Sequence, residues 1–321
     1  VRLVGSEMCI RDRYRTGIAI TTGENTAQNN VAIGRDVGRR MICGCYNVLL
    51  GDNVLSKVHR GRYNVMMGVN VGIAFTQGIN SVSNNVFIGR CVAMQQTSNV
   101  SSSVAIGNAA ATKGTSQSSV IIGQNAGQGV LGQTHSQNIF LGTNSGTGVS
   151  TGSSNIAIGN GAGRCISCAS NNVYLGINAG KCDFRGCGNI ALGTNAMCSG
   201  NVGNQAGGKP GCNIALGVNA GTAISSGDHN FLGGTNAGFS LISGGYNVAI
   251  GHNPILCQTT GNYSIALGYL AAKCVTTGSG NMAFGFCSLL NTTTGGCNKA
   301  FGNRTLSVSY THLTLPTIIT V

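Results

Sequence analysis

The amino-acid sequence predicts an all-β fold: a parallel β-solenoid (β-roll) of about 16 coils with a 17-residue period. Three observations carry that expectation. A unit reading N-[VI]-x-[IL]-G-x-N-A-G recurs along the chain, with clear copies at Asn155 to Gly163 (NIAIGNGAG), Asn172 to Gly180 (NVYLGINAG) and Asn213 to Gly221 (NIALGVNAG). Measured from the first glycine of each copy, ten of the sixteen intervals are 17 residues. Each burst alternates as a strand does, while glycine beside β-branched residues excludes a helical repeat.

The anchor glycines are Gly34, Gly51, Gly68, Gly89, Gly107, Gly123, Gly142, Gly159, Gly176 and Gly193. A short damaged copy at Gly203 follows, and then Gly217, Gly234, Gly251, Gly268, Gly285 and Gly302. The residue three before the anchor is mostly Val or Ile (Val31, Val86, Ile156, Ile190, Val248). The residue one before it is usually Ile or Leu (Ile33, Ile88, Ile158, Leu192, Ile250). Period two puts both on one strand face, which is expected to form the coil's own core. Three or four apolar side chains do not offset the entropy of ordering a lone coil. Coils stacked about 4.8 Å apart share ladders and core, so the array is the stable unit, and sixteen make a rod roughly 75–80 Å long.

Four residues before the anchor stands Asn in thirteen of the sixteen full copies and Ser in the remainder. Asn tolerates turn geometry, and stacked Asn side chains hydrogen-bond up a ladder. The pairs Ala126-Gly127, Ala179-Gly180 and Ala237-Gly238 suit a tight corner. An exposed ligand-binding array is the competing reading of these columns. The residue two before the anchor is expected to face away from the core, yet it is apolar throughout. A stripe apolar on both faces suggests a covering second copy, with Leu49, Met66, Phe87, Ile121, Phe140 and Tyr174 as the candidate oligomer face. A tolerated line of small residues is the alternative, since Ala dominates the later copies.

The ends read differently from the middle. Leu3 to Arg13 (LVGSEMCIRDR) and Val308 to Thr317 (VSYTHLTLPT) look like in-frame translations of sequencing-library adaptors. The expected division is a non-native tail at 1–13, the solenoid at 14–306 and a second non-native tail at 307–321, the natural protein being longer. Leu313 to Val321 is apolar but far too short to span a bilayer, so no membrane span is expected in this fragment.

The formal charge is +12, with 42% hydrophobic residues, which separates the chain from disordered low-charge sequences. The densest basic stretch holds Arg35, Arg39, Arg40, Lys57, Arg60 and Arg62, opposed by Asp36 and Asp52. Nucleic acid, acidic glycans and a membrane surface are its conceivable partners, and a merely solvated rim is the bland reading. No aromatics interleave to stack bases, which makes nucleic acid the weakest of the three.

Cys165 and Cys182 each sit six residues after their anchors in adjacent coils, as do Cys257 and Cys274. A coil spacing of about 4.8 Å lies inside the range that a disulfide permits, so both pairs are candidate bridges. Free thiols filling loop positions is the alternative. Cys165-x-x-Cys168 lacks a second pair or a nearby His and is not read as a metal site. Gly203 to Lys209 (GNQAGGK) imitates a P-loop, but Pro210 stands where Ser or Thr is needed. His59, His135, His229 and His252 are scattered without a repeated carboxylate or nucleophile. No catalytic residue, cofactor or metal ligand is assigned, and an enzyme is not expected.

The NIAIG and NVAIG cores resemble the head repeats of trimeric autotransporter adhesins and the Gly/Asn-rich repeats of phage tail-fibre proteins, over nearly the whole span from Asn30 to Gly302. The resemblance implies a homotrimer of parallel β-rolls that attaches to a host-surface receptor or glycan, on a virion or at a cell surface. The 17-residue period is longer than the usual adhesin head unit. Two other classes stay open: an ice- or crystal-surface binder and a structural repeat protein of a large virus. The former needs one repeated exposed Thr column, which Thr112 to Ser118 and Thr147 to Ser154 do not hold.

Overall fold

The computed structural model describes residues 29–307 apart from 40, 42, 59, 74–80, 97–98, 184 and 199–210. Residues 1–13 and 308–321 of the two adaptor-like tails, the P-loop-like segment 203–209, Arg40 and His59 therefore lie outside the described residues. Among those described, every regular element is a β-strand, and no helix is long and apolar enough to cross a membrane. One strand per coil joins a single 16-stranded sheet in sequence order, from Val31–Arg35 to Lys299–Phe301, with parallel in-register pairing. The fold is a β-solenoid.

Register ties each coil to the next at the residues that the repeat aligns. Ile156, Ala157 and Ile158 pair with Val173, Tyr174 and Leu175, which pair in turn with Ile190, Ala191 and Leu192. Ile190 then pairs directly with Ile214, a separation of 24 residues. Six to eight residues before the anchor, shorter pairings form a 4-stranded sheet (Cys43–Cys45 to Val100–Ser101) and a 2-stranded sheet (Thr115–Gln117 with Thr134–Ser136).

The anchor must be glycine for two reasons. Gly159 has φ of +134°, a conformation that L side chains rarely adopt. A Cβ there would also lie 2.5 Å from the carbonyl oxygen of Gly176, the anchor of the next coil. The coils pack backbone on backbone at this column.

The Asn column runs through the interior. Asn155 is fully buried, and its Nδ2 donates to Asn138 Oδ1 (3.2 Å) and to the Ala169 carbonyl (2.8 Å). Its own Oδ1 accepts from the backbone N–H and Nδ2 of Asn172 at 3.2 and 3.0 Å. Every polar atom of the amide is therefore used, the condition for burying it. At Ser119 a hydroxyl substitutes: Ser119 Oγ accepts from the Asn138 backbone N–H at 3.1 Å.

The inner and outer faces are the reverse of the sequence expectation. Leu49, Met66, Phe87, Ile121, Phe140 and Tyr174 are fully buried inside their own coils, so they form no oligomer face. The reason is parity. The buried Asn and the residue two before the anchor are two apart on one strand, so both point inward. The Val/Ile and Ile/Leu columns, expected in the core, point outward, as the buried middle residue of Ile156–Ile158 shows.

The interior is narrow, and in several coils two inward positions six residues apart share its volume. Behind several large inward residues the residue six later is glycine: a Cβ on Gly146 would lie 2.5 Å from the Phe140 ring, and one on Gly127 2.7 Å from Ile121. Where it is Ala249 or Ala283, buried Ile255 or Leu289 takes the space instead. The exchange is not uniform along the rod, since Leu49 and Leu55 of one coil are both fully buried.

Two predictions follow from the stacking. Gly159→Ala should cost upwards of about 4 kcal/mol in urea unfolding, because two coils must part. Gly132→Ala, with φ of +83° but nothing within 4 Å of its Cβ, should cost only about 1 kcal/mol. For the Asn ladder, Asn155→Ala should lose roughly 2–4 kcal/mol by stranding the amides above and below, and Asn155→Ser distinctly less. Equal losses for Ala and Ser would contradict the ladder.

Candidate interaction surface

The outer face of the 16-stranded sheet is built from the columns three and one before the anchor. Of its thirty-two positions, only Lys299 is charged and only Gly233 has no side chain; the rest are apolar. Stacking hides the sides of each side chain but not its tip: Val120 and Ile122 remain 36% and 39% exposed, Ile250 44%. An antiparallel or solvated sheet face would carry polar residues here. This face does not.

Aromatic residues border the stripe in the early and in the C-terminal coils. Five residues before the anchor, His229, Tyr246 and Tyr263 stack with ring centroids 4.8 and 5.2 Å apart, and Tyr46 stacks on Tyr63 at 5.1 Å. One residue after the anchor, His252, Tyr269 and Phe286 stack at 5.4 and 5.2 Å, with Arg304 over Phe286. The coil spacing sets these distances, so a repeated ring stacks on itself without further design. Tyr46, Tyr63, Tyr246 and Tyr263 hold φ between 56° and 60°, a corner conformation costly for bulky residues. Nothing in the sequence expectation marked these ladders, although equal spacing of the tyrosines from their anchors was visible.

At the N-terminal coils, Arg35 forms a two-armed ion pair with Asp52 across one coil step. Hydrogen bonding from Arg35 lowers the Asp52 carboxyl below its ordinary range. Both groups are solvent-facing, so the pair contributes little stability. Arg60 and Arg62 are exposed on either side of buried Gly61. The Thr register does recur late: Thr259 Oγ1 donates to the Thr276 carbonyl (3.3 Å) and Thr276 Oγ1 to that of Thr293 (3.1 Å). This ladder spans three coils, and its hydroxyls are tied to backbone.

The histidines are separated. His229 and His252 lie in the aromatic stacks, with His229 Nδ1 3.2 Å from Asp228. His135 occupies a position seven before its anchor, where Gly44, Gly61, Gly152 and Gly227 stand in other coils. It is buried beside Phe140 with Nε2 unpartnered, and burial lowers its pKa to about 4. A second buried polar group was also missed in the sequence. Tyr174 Oη donates to Asp183 Oδ2 (2.5 Å), Asn189 Nδ2 to the same oxygen (2.9 Å), and the Gly186 N–H to Oδ1 (2.7 Å). Burial pushes the Asp183 carboxyl up while these three donors hold it back. The cluster fills the interior of one coil; it is not open to a substrate.

Cys165 and Cys182 lie in consecutive coils, as do Cys257 and Cys274, and all four are unbridged thiols in this structure. Among the described residues, no three of His, Cys, Asp and Glu converge as a metal-ligand set. No family model, no curated protein and no solved structure matches the chain.

His135 gives the chain a calculable acid sensitivity. The folded chain keeps it neutral down to about pH 4, whereas the unfolded chain takes up the proton near 6.5. Stability is therefore intact above pH 6.5 and falls by roughly 3 kcal/mol as pH drops toward 4. Thermal melts across pH 7 to 4 should show this loss, and His135→Gly, restoring the residue of that column, should remove most of it. Parallel pH profiles for both chains would contradict the assignment.

Proposed function

We propose that this chain is a structural segment of an attachment fibre on the surface of a virion or a bacterial cell, assembled as a homotrimer through the outer face of its long sheet. The observation that carries the reading is the apolar stripe on that face, unbroken by charge until Lys299. A strip of sixteen strands about 4.8 Å apart, with side chains about 10 Å across, comes to roughly 700–800 Å2, the area one partner contributes to a standard interface. Left bare, a patch of that size is an aggregation liability; covered by other copies, it becomes the seam of a rod. The resemblance of the NIAIG-type unit to adhesin-head and tail-fibre repeats supports the same reading and supplies its number of copies.

In this reading the exposed arcs away from the seam meet a host-surface receptor or glycan, and the stack supplies length and stiffness. Sedimentation of the 17–304 segment tests it. The expected result is a trimer, converted to a folded monomer by Ile156→Lys with Ile265→Lys, which place charges on the stripe without touching the core. A compact monomer of the unsubstituted segment at micromolar concentration would contradict the proposal.

A further inference from the structure

The two cysteine pairs share an arrangement that the other described cysteines lack. In each, the first cysteine donates its backbone N–H to the residue just before the second: Cys165 to the Lys181 carbonyl (2.8 Å) and Cys257 to the Lys273 carbonyl (3.0 Å). The partners thus lie one strand spacing apart, about 4.8 Å, within the 4.4–6.8 Å between Cα atoms that a disulfide spans. Besides burial, within each pair one thiol raises the other, Cys165 that of Cys182 and Cys274 that of Cys257. In both pairs the second cysteine follows a lysine, Lys181 or Lys273. Cys198, one residue earlier in its own coil's register, lies within electrostatic reach of Cys182 from the next coil along.

We propose that Cys165–Cys182 and Cys257–Cys274 are redox staples, each closing to a disulfide that locks consecutive coils when the chain meets a small-molecule disulfide, with Cys198 as an alternative partner for Cys182. The exchange balances. One thiol of the pair loses its proton to solvent, and its thiolate attacks the small disulfide, expelling one small thiolate and leaving a mixed disulfide. The second thiol, deprotonated in turn, attacks the protein sulfur of that mixed disulfide and expels the other small thiolate. Two protein thiols are oxidised and one small disulfide is reduced to two thiols. The thiolate is the attacking species. Burial and the neighbouring thiol raise the Cys182 and Cys257 thiols, and Lys181 and Lys273 oppose this, so closure accelerates as pH rises.

Each staple would tie together two consecutive coils. It would also make the solenoid more resistant outside a reducing compartment than within one. This inference is independent of the fibre reading, because it concerns coil-to-coil contacts inside one chain.

The test uses the full chain, folded, incubated with oxidised glutathione and then alkylated and mapped by mass spectrometry without reduction. The expected result is two linked peptide pairs, Cys165–Cys182 and Cys257–Cys274, each lighter by two hydrogens, with a higher melting temperature that dithiothreitol reverses. Cys91 and Cys297 should stay alkylatable. In Cys165→Ser the link should move to Cys182–Cys198, while Cys257–Cys274 still closes. Stable glutathione adducts on the four cysteines, or alkylation of them as ready as that of Cys91 and Cys297, would overturn the proposal. So would the same links appearing equally when oxidation is carried out in concentrated urea, since the fold would then not select them.

Discussion

Backbone contact at the anchor glycines sets the scale of everything else in this solenoid. With no side chain between Gly159 and Gly176, successive coils approach to one strand spacing, and the interior has to be built from what fits at that pitch. A buried amide fits well. Its oxygen accepts two donors from the coil on one side, and its nitrogen reaches both the previous amide and a carbonyl across the interior, as at Asn155 between Asn138 and Asn172. The ladder satisfies each amide only if the neighbours are in register. A slip of one residue would strand polar groups in a dry core, so the hydrogen bonds specify alignment at least as much as they stabilise it.

The narrow interior explains the rest of the pattern. In several coils one large side chain is admitted, at the inward strand position or six residues later, and the other position shrinks to Gly or Ala, although Leu49 and Leu55 are both buried in one coil. Tyr174 shows the limit: its ring occupies the space that a Cβ on Gly180 would need, and its hydroxyl reaches buried Asp183 on the far side of the coil. Since small residues fill the inside, the uniform Val, Ile and Leu columns are left for the outside. The most regular apolar feature of the sequence is therefore a surface, which is why assembly with other copies is central to the functional reading.

Period, strand position, glycine anchors and the Asn ladder were legible because each is a column that repeats in every coil. The facing of the strand was not read correctly, because hydrophobicity alone assigns Ile156 and Ile158 to the core ahead of Ala157. The Asn offered the corrective: Asn155 and Ala157 share parity, and an amide that makes a ladder belongs inside. Features confined to one coil were harder still. His135 in a glycine column and Asp183 beneath Tyr174 each depend on a single local substitution, and no periodic argument picks them out. The thiol pairs were legible from register, but the approach of Cys198, one register position off, to Cys182 was not.

Distances along the rod test the stacking itself. Spin labels can be attached by non-cysteine chemistry at Gln137 and, in separate chains, at His229, Tyr246 or Tyr263, all five residues before their anchors. Dipolar spectroscopy should then give a label separation that lengthens by about 4.8 Å at each step of 17 residues. Separations that stay constant, or that change irregularly from one 17-residue step to the next, would contradict a solenoid of stacked coils.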